Sequence, residues 1–297
     1  MTEIVVISGK GGTGKTSLTA AFAALAPAEL VVADCDVDAA DMHLLMQPVT
    51  VHSEPFFSGQ EAFIDPLRCS NCGECEAVCR FDAILDGVDG MKIDPVACEG
   101  CGYCARVCPE NAIVMSDAEV GTWQHSRTRM GSPMAHARLD IGADNSGKLV
   151  TQVRTEARKL AAEYKRDLIL VDGPPGVGCP VVAALSGADY VVLVTEPTVS
   201  GIHDLRRVHE LVRKFRIPCG CIINKYDLNP VKTDEIKTYL LEGGIDHLAD
   251  LPYDTGFTTA MTLGRTIVET DQKHLVHTVE NAWESIVHYS RSERETV

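Results

Sequence analysis

Eight residues near the start of the chain, Gly9-Lys10-Gly11-Gly12-Thr13-Gly14-Lys15-Thr16, satisfy the pattern G-x4-G-K-S/T. They constrain the fold more than any other stretch, because such a loop cradles phosphate only when a strand delivers it and a helix starts directly behind it. Both flanks are present. Residues 3–8 (EIVVIS) form a short apolar run that reads as a buried strand, and residues 15–25 read as a helix. A second strand is expected over 30–33, ending at Asp34 and Asp36, with further β-rich runs at 168–171, 190–194 and 221–223. Helical patterns separate them: within 148–165, Leu149, Val150, Val153, Ala157, Leu160 and Tyr164 share one face. Residues 122–141 alternate about Gly131-Ser132-Pro133 and read as a hairpin returning the chain to the sheet, and 144–148 (DNSGK) as a loop before a helix. Strand and helix in alternation predict an α/β fold, a doubly wound, mostly parallel sheet.

Glycines let backbone N–H groups close around phosphate oxygens, while Lys15 brings a point charge to the β and γ phosphates and the Thr16 hydroxyl can ligate Mg²⁺. Gly11, Gly12, Thr13, Gly14, Lys15, Thr16 and Ser17 are the expected nucleotide contacts. A net charge of −15 over 297 residues disfavours bulk binding to nucleic acid. No apolar run approaches a membrane span, and residues 271–297 carry mixed charge. The chain opens Met1-Thr2-Glu3 and runs straight into the loop, so no secretory signal and a cytoplasmic location are expected. Twelve cysteines in that compartment point to metal or redox chemistry.

Eight of those cysteines form two runs, Cys69, Cys72, Cys75, Cys79 and Cys98, Cys101, Cys104, Cys108, each spaced C-x2-C-x2-C-x3-C, the second followed by Pro109. Zinc usually takes two C-x2-C pairs, so a third thiol at the same spacing fits it poorly, and disulfides need an oxidising compartment. The spacing resembles that of bacterial two-cluster ferredoxins, in which the fourth cysteine of a run ligates the other cluster. That resemblance implies crossed ligation of two 4Fe-4S clusters: Cys69, Cys72, Cys75 and Cys108 for one, Cys98, Cys101, Cys104 and Cys79 for the other. Each run is followed by an Ala-Ile pair, Ala83-Ile84 and Ala112-Ile113, which reads as an internal duplication. The expected organisation is a phosphate-binding domain in two parts, 1–63 and 117–297, with a small α+β module inserted at 64–116.

Lys10, directly after the first glycine, marks a subgroup of such loops. Here the chain resembles the deviant Walker A ATPases of the MinD/ParA and nitrogenase iron-protein superfamily. The resemblance implies a nucleotide-dependent dimer, with itself or a related ATPase, in which Lys10 reaches the partner's phosphates. It assigns Asp36 to the first switch, positioning water or the Mg²⁺ shell, with Asp38 able to share that work; either aspartate could instead cap a helix starting near Ala39. It also makes residues 168–176 (LILVDGPPG) a Walker B strand and second switch, with Asp172 toward Mg²⁺ and movement at Gly173 and Gly176. Asn224-Lys225-Tyr226-Asp227 is expected near the base; N-K-x-D alone leaves ATP and GTP open, and the Lys10 subgroup favours ATP. Residues 251–254 (LPYD) resemble a late segment beside the base. Together these imply an ATPase coupled to electron transfer to a protein partner; the alternative is an ATP-dependent carrier delivering clusters to apo-proteins. A spatial organiser of the cell-division kind would want a membrane-binding C-terminal helix, which the sequence lacks. Cys219 and Cys221 would share one face of a strand and, with Cys35 and Cys179, read as core packing.

Overall fold

The computed structural model describes residues 1–87, 90–140, 142–143 and 145–292. Ile141 and Asp144, at the ends of the expected hairpin and loop, lie outside the described residues, as does the tail of the C-terminal segment, 293–297. The elements run β1 (Thr2–Ser8), α1 (Lys15–Leu25), β2 (Leu30–Asp34), α2 (Met42–Met46), β3 (Val49–Ile64), α3 (Glu74–Val78), β4 (Ile84–Gly87), β5 (Gly90–Ile93), α4 (Tyr103–Val107), β6 (Ile113–Arg127) and β7 (Pro133–Leu139). They continue as α5 (Ser146–Glu163), β8 (Leu168–Pro175), α6 (Cys179–Leu185), β9 (Tyr190–Thr195), α7 (Val199–Phe215), β10 (Cys219–Asn224), α8 (Pro230–Gly243), β11 (Asp246–Leu251), α9 (Thr255–Thr262) and α10 (Lys273–Ser292).

Two compact units result. The larger holds Met1–Glu54, Thr122–Leu139 and Ser146–Val297; the smaller holds Pro55–Gly121 with Asp140–Asn145. The smaller unit thus also takes in residues 55–63 and 117–121 beside the 64–116 module, because the chain passes between units inside β3 and β6.

The sheet has the order β11-β10-β9-β1-β8-β2-β7-β6-β3. Pairing is parallel from β11 through β7. Strands β1, β2, β9 and β10 are buried along their whole length, which is why they read as unbroken apolar runs: helices cover both faces. Phe22 of α1 stacks on Trp283 of α10 at 5.4 Å between centroids, within a core that includes Leu18, Leu275, Val279 and Ile286. Each such side chain contributes about 1.5–3 kcal/mol on burial. The hairpin closes through Thr128–Ser132, with the Thr128 amide donating to the Ser132 carbonyl and the Ser132 amide to Thr128 Oγ1. β7 then lies beside β2.

One strand runs further than its sequence suggests. β8 continues from Val171 to Pro175, because a side chain at Gly173 would come 2.5 Å from Ile7 Cγ2; glycine lets β8 press onto β1 there. Gly173 is therefore a packing position, whereas Gly176, at φ +92° with open space around it, is the freer of the two.

In the smaller unit β4 and β5 pair antiparallel, and Cys75, Ile64, Ile84, Met91 and Ile113 form a core. The internal duplication extends to backbone conformation. Gly73 (φ 76°, ψ −2°) and Gly102 (φ 70°, ψ 6°) cap α3 and α4 in the left-handed region, and Cys79 (−72°, 116°) and Cys108 (−68°, 113°) end them alike.

Candidate functional site: a phosphate loop and two thiol runs

The loop 9–14 leaves the end of β1 and turns into α1, so the first helical residue is Lys15. Gly14 stands at φ +91°, and a Cβ there would meet Asn224 Nδ2 at 2.5 Å; glycine is required on both counts. The loop is tied from two sides: Asn224 Nδ2 donates to the Thr13 carbonyl (2.8 Å), and the Gly176 amide donates to the Ser8 carbonyl (2.9 Å).

Lys15 is buried and sits among carboxylates. Its Nζ lies 3.0 Å from Asp172 Oδ1 and 3.4 Å from Asp36 Oδ2. Thr16 Oγ1 donates to Asp172 Oδ2 (2.7 Å) and Thr19 Oγ1 to Asp172 Oδ1 (3.0 Å). The sheet register explains the arrangement, since Asp34 and Asp172 are paired across β2 and β8. Two residues beyond the strand end, the Asp36 amide donates to Asp34 Oδ1 (3.2 Å). Burial alone would lower the Lys15 pKa, but Asp172 and Asp36 outweigh it and hold the ammonium protonated. The Asp34 carboxyl is pushed well up, first by burial and then by Asp172; the Asp36 carboxyl is also raised, by burial that Lys15 only partly offsets. Asp172 and Asp36 beside Lys15, with the Thr16 hydroxyl on Asp172, offer oxygen ligands of the kind a divalent cation takes. The Thr13 hydroxyl, buried in the loop, has no hydrogen-bond partner, as expected for a group facing a ligand.

A cavity of about 400 Å³ opens on this centre, within the size range of small-molecule sites. Residues 11–17 and Asp36 line one end; Asn224, Pro252, Tyr253, Asp254, Phe257 and Met261 line the other. Thr16, Asp36 and Asp172 could hold Mg²⁺. Asp172, buried against Lys15 and Thr16, does not itself line the cavity, and three further expected contacts also stand off its wall. Asp227 is off the cavity wall, its Oδ1 accepting the Tyr253 amide (2.6 Å), so it acts on the segment that does line the cavity. Asp38 is exposed and also off the wall. Lys10 turns from the cavity to Glu196, 2.6 Å away.

Among the described residues, no three His, Cys, Asp or Glu side chains gather about one point as ligands of a single ion do. Thiolates around one zinc would stand about 3.8 Å apart, from 2.3 Å bonds in a tetrahedron; a cubane spreads its thiolates over four irons. Cys79, Cys98, Cys101 and Cys104 line one small cavity, the four drawn from both runs. Cys75 belongs to the core of the smaller unit, with Cys69, Cys79, Cys104 and Cys108 packed against it, and the Ala112 amide points at Cys108 Sγ (3.3 Å). The Cys75 thiol is raised chiefly by burial, with Cys69 and Cys72 adding to it; Cys104 is raised by burial, with Cys98 and Cys101 adding. Cys219 and Cys221 are buried, burial pushing the Cys219 thiol up to about 12. Cys35 is buried likewise, but Cys179 is exposed at the start of α6, so core packing does not account for it.

Sequence reasoning missed Asp34 as a member of the site and missed Glu196 altogether. Pairing with β8 singles out Asp34, and that register is invisible before the sheet is assembled. Glu196 gave no signal beyond a Glu-Pro step after a strand.

The family model for the CobQ/CobB/MinD/ParA nucleotide-binding domain matches residues 4–267. An uncharacterized protein of Methanocaldococcus jannaschii, MJ0578, is 34% identical over 233 residues, covering 77% of this chain and 80% of its own. Among solved structures, the septum site-determining protein MinD of Pyrococcus horikoshii, complexed with Mg-ADP, superposes with a TM-score of 0.55 at 20% identity, covering 95% of each chain. MinD of Aquifex aeolicus, solved in a MinC:MinD complex, gives 0.56 at 19%, covering 97% of this chain and 96% of that one. At these identities the structural likeness speaks for the fold. No helix among the described residues is long and apolar enough to cross a membrane.

Proposed function

Because the chain belongs to the CobQ/CobB/MinD/ParA nucleotide-binding family, we propose that it binds and hydrolyses MgATP and couples that cycle to electron transfer through two 4Fe-4S clusters. In this reading Lys15 and the loop amides neutralise the phosphates, Thr16 and Asp172 hold Mg²⁺, and Asp36 orients the attacking water. The adenine lies toward Asn224, Pro252 and Tyr253. The Mg-ADP held by the Pyrococcus relative is in keeping with this nucleotide.

The observation that carries the cluster half is the cavity lined by Cys79 together with Cys98, Cys101 and Cys104, the crossed set that a duplicated ferredoxin pattern calls for. Cys69, Cys72, Cys75 and Cys108 would hold the second cluster. When bound, the clusters supply one-electron carriers. Eight thiols from one chain favour clusters that stay in place. The chain enters the smaller unit through β3, the first strand after Asp36, so a γ-phosphate-dependent movement at Asp36 could pass along α2 and β3 toward the thiols. A nucleotide-dependent dimer and a protein redox partner complete the proposal.

The test mixes the anaerobically reduced protein with MgATP and a candidate acceptor, then measures iron on each protein and the EPR signal. Loss of signal with iron retained supports electron transfer. Iron migrating to the acceptor overturns it in favour of cluster delivery.

A further inference from the structure

Glu196 follows β9 and stands between two lysines of the phosphate site. Its Oε1 lies 2.6 Å from Lys10 Nζ and its Oε2 3.0 Å from Lys225 Nζ. Lys10 also donates to Ser200 Oγ (3.0 Å) and Thr198 Oγ1 (3.3 Å), both in the first residues about α7, and Lys225 reaches the Gly12 carbonyl (3.3 Å). Thr198 caps α7 by accepting the Gly201 amide (2.9 Å), so this receiving corner is built into the sheet-to-helix turn. Lys225 lines the cavity and Lys10 does not.

From this geometry we infer that Glu196 is a positioning residue of the phosphate site: it holds Lys10 off the cavity and must yield that lysine before Lys10 can meet a triphosphate. The carboxylate competes with phosphate for the same ammonium. Side-chain exposures of 29% for Lys10 and 14% for Glu196 make the bridge partly screened, strong enough to set the resting position and weak enough for a polyanion to displace. The inference rests on the MgATP reading above and adds a residue that governs when the loop lysine is available.

The test measures affinity for a nonhydrolysable MgATP analogue in the wild type, Glu196→Gln, Lys10→Met and the double variant, with thermal melts to confirm folding. Glu196→Gln is expected to tighten binding about two- to fivefold, the gain of removing a partly exposed competing charge, and most of the gain is expected to disappear in the Lys10→Met background. Ser200→Ala, which removes a weaker holder, shifts affinity in the same direction by less. Unchanged or weaker binding in folded Glu196→Gln overturns the assignment, as does an equal gain without Lys10. A wild type that binds no nucleotide defeats the MgATP reading itself, and the role of Glu196 with it.

Discussion

The Lys15 ammonium stands 3.0 Å from Asp172 Oδ1, with both side chains buried and the Thr16 and Thr19 hydroxyls closing on the same carboxylate. In the proposed function, the lysine assigned to the phosphates is thus structurally tied to the carboxylate assigned to the metal. Neither can be removed without leaving the other a buried charge short of a partner.

Asp172→Asn is expected to lower stability by about 2–3 kcal/mol, less than the 3–5 typical of a broken buried pair because Asp36 remains 3.4 Å from Lys15. Mg²⁺-dependent turnover should fall at least about a hundredfold. Thr16→Ala should cost about 1 kcal/mol or less in stability while weakening Mg²⁺ binding. Urea unfolding and a Mg²⁺-titrated ATPase assay check both; full turnover in Asp172→Asn contradicts the assignment.

Gly14→Ala should impair nucleotide binding out of proportion to its effect on stability. The left-handed backbone costs about 1–2 kcal/mol with a side chain, and the new Cβ displaces Asn224 from the Thr13 carbonyl. Calorimetric titration against a melt separates the two; intact affinity would show that the Asn224 tie is dispensable.

His136 gives a pH signature. Burial, with smaller effects from His43 and His125, lowers its pKa to about 4, and its Nε2 lies 2.8 Å from Ser126 Oγ. The unfolded chain binds a proton near 6.5, so below that pH the unfolded state takes up protons the folded state refuses. Stability should therefore decline as pH falls from about 6.5 to about 4, by at most about 3 kcal/mol from this residue. His136→Gln should flatten that segment of the curve; parallel curves for the two proteins exclude it.

The nucleotide half of the molecule was largely legible because its physics is local. A glycine loop between strand and helix, and a carboxylate ending an apolar strand, are short-range patterns, and Lys15, Thr16 and Asp172 do meet. What escaped depends on assembly. Asp34 joins the site through its pairing with Asp172, and Glu196 reaches Lys10 across elements far apart in sequence. β3 escaped for a different reason. It is an edge strand, exposed along most of its length and carrying Pro55, so it lacks the apolar alternation that betrays a half-buried strand. At Asp227 the motif fixes the residue type but not its contacts, and its carboxylate accepts the amide of Tyr253 on the cavity wall.

Cys79→Ser separates crossed from sequential ligation. If the runs cross, the substitution should deplete the cluster of Cys98, Cys101 and Cys104, and pairing it with Cys98→Ser should remove no more iron than either alone, about four of about eight atoms. Iron analysis with EPR of the reduced proteins reads this directly. An additive loss would mean that Cys79 serves its own run.

The most direct test of the central claim is the midpoint potential of the reconstituted clusters, measured by EPR-monitored titration with MgADP and with a nonhydrolysable MgATP analogue. The coupling proposed here predicts that exchanging the nucleotide shifts at least one cluster by about 60 mV or more, a tenfold change in a one-electron equilibrium. Potentials and line shapes that stay the same under both nucleotides would contradict it.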